Sequence, residues 1–93
     1  MAKCVTVIRA RRKDVAKIAD YLRAHAADIE SSYFLESWQG RLRQQIRVLD
    51  VEARPMSIAV ITEGDDISSN NVSDAIRDNL PDGVENVRIP YWS

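Results

Sequence analysis

This chain lacks most of what specialised chemistry requires. It has a single cysteine, Cys4, so no internal disulfide can form, and a reducing, cytoplasmic setting is expected. It has a single histidine, His25, and no second imidazole to complete the usual pair of nitrogen ligands to a metal. Its three glycines, Gly40, Gly64 and Gly83, are scattered, which excludes a glycine-rich phosphate loop. No apolar run reaches the roughly 18 residues of a membrane-spanning helix. The apolar stretch near Val5 and Ile8 is too short for a secretory signal. The net charge of −1 provides no global attraction to nucleic acid. No cofactor and no membrane association are expected.

What is present describes a small globular protein. Ninety-three residues, 45% hydrophobic and 29% charged, suit one domain spanning 1–93. The charge is unevenly placed. Residues 1–54 carry eleven lysines and arginines against seven acidic residues, whereas residues 55–93 carry two against seven. Such polarity can orient subunits or steer a partner, and it can equally be scattered surface charge.

Apolar periodicity sets out the elements. In residues 3–10, Val5 and Val7 fall on one side and Cys4, Thr6 and Ile8 on the other, the pattern of a strand covered on both faces. Arg11, Arg12 and Lys13 interrupt it. From Asp14 the period becomes helical, with Val15, Ile18, Ala19, Leu22 and Ala26 sharing a face and Asp14 placed to cap or occupy the first turn. Residues 56–62 read as a second two-sided strand, and residues 63–71 as a polar loop. Ser69, Asn70 or Asn71 can cap a second helix that buries Val72, Ala75, Ile76 and Leu80. Pro81, Asp82 and Gly83 end it, and residues 84–92 form a last strand.

The middle admits two readings. As a helix, Phe34, Trp38, Leu42, Ile46 and Leu49 make an apolar stripe. As strand, residues 32–38 are aromatic and residues 46–51 are rich in β-branched side chains, with Gln39 and Gly40 as a turn or bulge. Gly40 weakens the helix more, and the neighbouring segments need edge strands, so extended structure is expected.

Two halves of the chain share this punctuation. At an offset of 58 residues, Ile18 matches Ile76, Asp20 matches Asp78, Leu22 matches Leu80, Ile29 matches Val87 and Tyr33 matches Tyr91. The order is strand-helix-strand twice. That predicts an α+β, ferredoxin-like βαββαβ domain: a four-stranded antiparallel sheet with two helices on one face and the first and third strands at its centre. Because both faces of those strands are apolar, a second copy is expected to cover the face without helices, giving a homo-oligomer, a dimer or a trimer.

The run Trp38, Gln39, Gly40, Arg41, Leu42 resembles the aromatic-x-Gly segment on the long second strand of CutA-type proteins. The stretch 80–90, with Pro81 before the strand and Ile89-Pro90 at its end, is similar to their last strand. The likeness to the CutA and PII-like group spans most of the chain and implies a small ferredoxin-like trimer. Residues 41–54 would then fall where PII proteins carry a binding loop. The glycine-rich, lysine-bearing nucleotide pattern of PII is absent, and ACT-type regulatory domains share the element order.

The candidate binding residues are basic. Arg9, Arg11, Arg12 and Lys13 gather where strand passes into helix, where cations and free helix amides can hold a phosphate or carboxylate. Arg41, Arg43 and Arg47 share a face of an extended segment, unless a bulge shifts them, and Trp38 can anchor a partner. The same cations can also form a solvated surface or subunit salt bridges. RNA-recognition domains of this topology stack bases on aromatics of the central strands; here those strands have none, so nucleic acid is not expected. Cys4 and His25 read as packing residues, and Asp65 and Asp66 as a polar loop tip.

No catalytic set is legible. The expected function is that of a non-catalytic regulatory or binding protein, oligomeric, acting through an anionic small ligand or a protein target. Two alternatives stand beside it. One is a small inhibitor or adaptor of the kind encoded by phages and mobile elements, using a sheet edge or residues 41–54. The other is a dimeric α+β-barrel enzyme with a pocket lined by His25, Tyr33 or Trp38.

Overall fold

The computed structural model describes residues 2–36, 45–64, 67–84 and 87–89. Its elements are strand β1 (Ala2–Arg9), helices α1 (Arg12–Ala24) and α2 (Ala26–Glu36), strands β2 (Ile46–Ala53) and β3 (Ser57–Gly64), and helix α3 (Ser69–Arg77). The three strands form an antiparallel sheet in the order β1-β3-β2. The first and third long apolar strands therefore pair along their whole length, from Ala2 opposite Gly64 to Arg9 opposite Ser57.

Register decides the faces. Thr6, Ile8, Ile58, Val60 and Thr62 are buried, as are Ile46 and Val51 on β2. The apolar ones among them join Val15, Ile18, Leu22, Ile29, Tyr33, Val72 and Ile76 in one core, so the helices cover that face. The other face carries Lys3, Val5, Val7 and Arg9 from β1 and Ala59, Ile61 and Glu63 from β3. Val5 is 51% exposed there. Ala59 is buried yet lies outside the core cluster, as expected for a small residue on the opposite side of the sheet.

The helix faces match the periodicity over most of their length: α1 buries Val15, Ile18, Ala19 and Leu22, and α3 buries Val72, Ala75 and Ile76. Ala26, expected on the first face, begins α2 instead, and Leu80, expected on the second, packs on the core after α3 has ended. Ser68 caps α3, its hydroxyl accepting from Asn71 N at 3.4 Å, one residue earlier than the sequence places the cap. Asp14 sits in the first turn of α1.

The middle of the chain requires a correction. Where an extended run from residue 32 is expected, α2 continues to Glu36, so three helices stand where two were anticipated. Ile29 and Tyr33, one turn apart, are 0% and 1% exposed. Packing of that pair against the core outweighs the β preference of the aromatics, because strand propensity largely reports burial on a pleated surface. The 58-residue correspondence therefore holds only in part. Ile18 and Ile76 are both buried and helical, but Leu80 lies beyond the end of α3 while Leu22 is inside α1, and Ile29 and Tyr33 are helical rather than extended. Extended structure is correct from Ile46 onward. Residues 37–44 lie outside the described part.

Strand β2 is irregular in a way that matters for its faces. Val48 is opposite Thr62 and Asp50 is opposite Ile61, so Leu49 is an extra residue in a β-bulge. Before it, Ile46 and Val48 face the helices; after it, Val51 and Ala53 do. The bulge puts Asp50 and Glu52 on the open face without sacrificing the burial of Val51.

Candidate functional site

The residues that converge lie at the corner where β1 hands over to α1. Arg11 adopts extended φ/ψ of −64° and 146° and precedes the helix without a side-chain cap of its own, while Asp14 N donates to Arg11 O at 2.8 Å. Ala10 N donates to Met56 O at 3.2 Å, which ties the end of β1 to the start of β3. The β2–β3 turn closes with Arg54 N donating to Ser57 O at 2.8 Å. Together these bonds shape an open cleft of about 580 Å³ lined by Val7, Arg9, Ala10, Arg11, Met56 and Ser57. Its floor is apolar, and Met56 is 61% exposed beside it.

Two of the cations named from the sequence, Arg9 and Arg11, line this cleft, and Arg12 and Lys13 follow as exposed residues in the first turn of α1. Arg47 does not join them. It stands on β2 opposite Glu63, which is in turn opposite Lys3, three side-chain rows from the row that holds Arg9 and Ser57. That separation is roughly 20 Å at the usual strand rise. Trp38, Arg41 and Arg43 lie outside the described residues, as do Asp65 and Asp66. Val7, Ala10, Met56 and Ser57 were not singled out from the sequence, because a cleft between the end of one strand and the start of another has no local signature.

One further residue enters through pairing. Arg88 is opposite Arg9 in an antiparallel bridge: Arg9 N donates to Arg88 O at 2.7 Å and Arg88 N to Arg9 O at 2.9 Å. Nearby, Arg54 meets Glu52 at 3.6 Å across an exposed surface, a contact worth about 0–1 kcal/mol. Among the described residues no ion pair joins Arg9 or Arg88 to a carboxylate.

A smaller depression of about 200 Å³ is lined by Arg23, Ala26, Val48, Leu49, Asp50 and Val51. Its polar groups are engaged with one another. Arg23 donates to Val51 O from Nε at 3.2 Å and Nη2 at 2.8 Å, and Val51 N donates to Asp50 Oδ1 at 2.8 Å. Val48 N donates to Glu30 Oε2 at 2.7 Å. Side chains thus occupy the backbone of β2 at the bulge, which blunts this edge against pairing with another strand.

The remaining candidates are structural in their surroundings. His25 closes α1, stacks on Tyr21 with ring centroids 3.9 Å apart, and donates from Nδ1 to Tyr21 O at 2.8 Å. The acceptor is a carbonyl, so the proton is on Nδ1. Tyr33 is buried, its hydroxyl accepting from Ser68 N at 3.1 Å. Cys4 is half-buried, with Sγ 3.8 Å from Thr6 Oγ1. Among the described residues, no group of three or more His, Cys, Asp and Glu is placed to hold a metal ion, and no helix is long and apolar enough to cross a membrane. The corner cleft itself presents guanidinium groups, one hydroxyl and apolar surface, a set suited to holding an anion with an apolar portion.

The class that these observations define is a small α+β domain with a three-stranded antiparallel sheet. No family model, no curated protein and no solved structure matches the chain. The likeness to CutA and PII-type proteins therefore rests on the residues quoted for it.

Proposed function

We propose that this protein is a non-catalytic binding or regulatory module that acts as a homo-oligomer and meets an anionic small molecule, or an acidic group on a protein target, at the β1–α1 corner. One observation carries the reading: Arg9 and Arg11 border a single cleft over an apolar floor. Guanidinium groups are planar, permanently charged donors that match carboxylate and phosphate geometry. The ferredoxin-like arrangement belongs to the same proposal. The isolated antiparallel Arg9–Arg88 bridge, on the edge of β1 away from β3, supports a further strand there, as that arrangement requires.

The test is ligand-induced stabilisation. Inorganic phosphate and small carboxylates should raise the melting temperature of the parent chain, and the double variant Arg9→Gln/Arg11→Gln should abolish the rise. Arg47→Gln, at the far end of the sheet, should preserve it. Equal responses from all three proteins would remove the corner as the site.

The oligomer has its own support. Val5 and Ile61, beside the buried Ala59, make an apolar centre on the open face, with Lys3, Glu63 and Arg47 as a charged row at one end and the Val7–Arg9 cleft toward the other. A second copy of this face is the proposed cover. Val5→Lys should cost the fold little, about 0.5 kcal/mol or less at an exposed position. It should also shift light scattering toward the monomer. A parent protein that scatters as a monomer at every concentration would exclude the oligomer.

The adaptor reading through a sheet edge is less favoured, since Glu30, Arg23 and Asp50 occupy the backbone of β2. The barrel-enzyme reading would need His25 and Tyr33 to line a pocket; His25 is stacked on Tyr21 and the Tyr33 hydroxyl accepts from Ser68.

A further inference from the structure

Arg9 and Arg88 exchange both of their backbone hydrogen bonds, so they are directly opposed across two antiparallel segments. Residues in that relation project to the same face of a sheet, with Cβ atoms about 5 Å apart. Arg9 is on the face without helices, and the guanidinium group of Arg88 is therefore on that face too. Both residues are exposed. Like charges directly opposite one another destabilise a sheet. Among the described residues neither has an acidic ion-pair partner.

Arg9 lines the cleft and Arg88 stands beside it on the outer edge of β1, and this unfavourable pair of cations has a simple physical use. A carboxylate has two oxygens and can accept from two guanidinium groups at once, turning mutual repulsion into two charge-assisted contacts. The floor then selects what carries the carboxylate. Val7, Ala10 and Met56 offer nothing to a hydrated inorganic anion, but they can remove apolar surface from water. The cleft volume, about 580 Å³, falls within the range of small-molecule sites.

We infer, building on the binding-module reading, that the corner is a site for a small amphipathic carboxylate. Its carboxylate bridges Arg9 and Arg88, and its aryl or alkyl body lies on Val7, Ala10 and Met56.

The experiment uses the full chain, with amide chemical shifts and calorimetry as readouts and 3-phenylpropionate as the probe. The neutral isostere 3-phenylpropanol and inorganic phosphate are the comparisons. The acid should perturb the amides of Val7, Arg9 and Arg88 and bind at least about tenfold more tightly than the alcohol, the loss expected when a charge-assisted contact is removed. Arg88→Gln should weaken the acid by a similar factor while melting no lower than the parent, because it relieves repulsion in the free protein. Met56→Ser should weaken phenylpropionate and leave phosphate unaffected. Circular dichroism establishes that each variant is folded, and Arg88→Lys, which keeps charge without the fork, provides a second variant at that position.

Phosphate binding as tightly as phenylpropionate, with Met56→Ser silent, would overturn the amphipathic ligand and leave the anion-binding module standing. Alcohol and acid binding equally would overturn the role of the arginine pair. A lower melting temperature for Arg88→Gln with unchanged affinity would make the pair structural and overturn the inference. Neither anion perturbing the corner would overturn both this inference and the reading on which it rests.

Discussion

Tyr33→Ala is expected to remove a large share of the stability of the fold, about 3–5 kcal/mol. The side chain is 1% exposed in the core, on the helix that packs against both α3 and β2. Truncating a large buried aromatic costs about 3–5 kcal/mol, from lost transfer free energy and the cavity left behind. A domain of this length has a total stability of about 5–14 kcal/mol at roughly 0.05–0.15 kcal/mol per residue. The hydroxyl adds a second role, since it accepts from Ser68 N at 3.1 Å just before α3 begins. Tyr33→Phe separates the two effects: it keeps the packing and removes the acceptor, for about 1–3 kcal/mol if Ser68 N is left without a partner. Urea denaturation of the three proteins measures both quantities. A loss below about 1 kcal/mol for Tyr33→Ala would show that the aromatic is not the core residue described, since such truncations normally cost several times more.

Gly64→Val should be comparably damaging for a different reason. A Cβ at Gly64 would lie 2.8 Å from Gln45 O and 3.2 Å from Ile46 Cγ2. The first contact is with backbone and cannot be relieved by rotating a side chain. Gly64 closes the central strand and is opposite both Ala2 on β1 and Ile46 on β2, so a shift there disturbs two pairings. Overpacking of this kind costs about 1–3 kcal/mol for a small addition, which is the expectation for Gly64→Ala, and the branched Val should exceed it. Hydrogen exchange at the amides near Ile46 should accelerate along with the loss in the denaturation midpoint. Gly83 is the useful contrast. Its φ of +82° disfavours any side chain, but the space around it is open, the nearest atom to an added Cβ being Lys17 Nζ at 3.6 Å. Gly83→Ala should cost about 1–2 kcal/mol from backbone strain alone. Equal losses for Gly64→Ala and Gly64→Val would show that the strand end yields to the added bulk.

The candidate site was legible in part. Arg9, Arg11, Arg12 and Lys13 are close in sequence, so any fold that turns between a strand and a helix must keep them near one another. Arg47 was expected to share a strand face with Arg41 and Arg43, which lie outside the described residues; register places Arg47 opposite Glu63, far from the corner. Arg88 was read only as part of a last strand. Its significance comes from pairing with a residue 79 positions earlier, which no local pattern encodes. The bulge at Leu49 was missed for a related reason. A one-residue insertion in a strand shows itself by what the partner strand leaves unpaired, not by composition.

By itself the sequence determined the helical faces of α1 and α3, the two long strands β1 and β3, and the basic turn between β1 and α1. Each rests on interactions within a few residues: a 3.6-residue period, runs of β-branched side chains, and neighbouring charges. Tertiary structure alone decided that Tyr33 belongs to a helix, that Val51 points inward after a bulge, and that Arg88 faces Arg9. Those outcomes depend on burial and pairing between segments distant along the chain. There, packing and register energies of several side chains together exceed the local preference of any one of them.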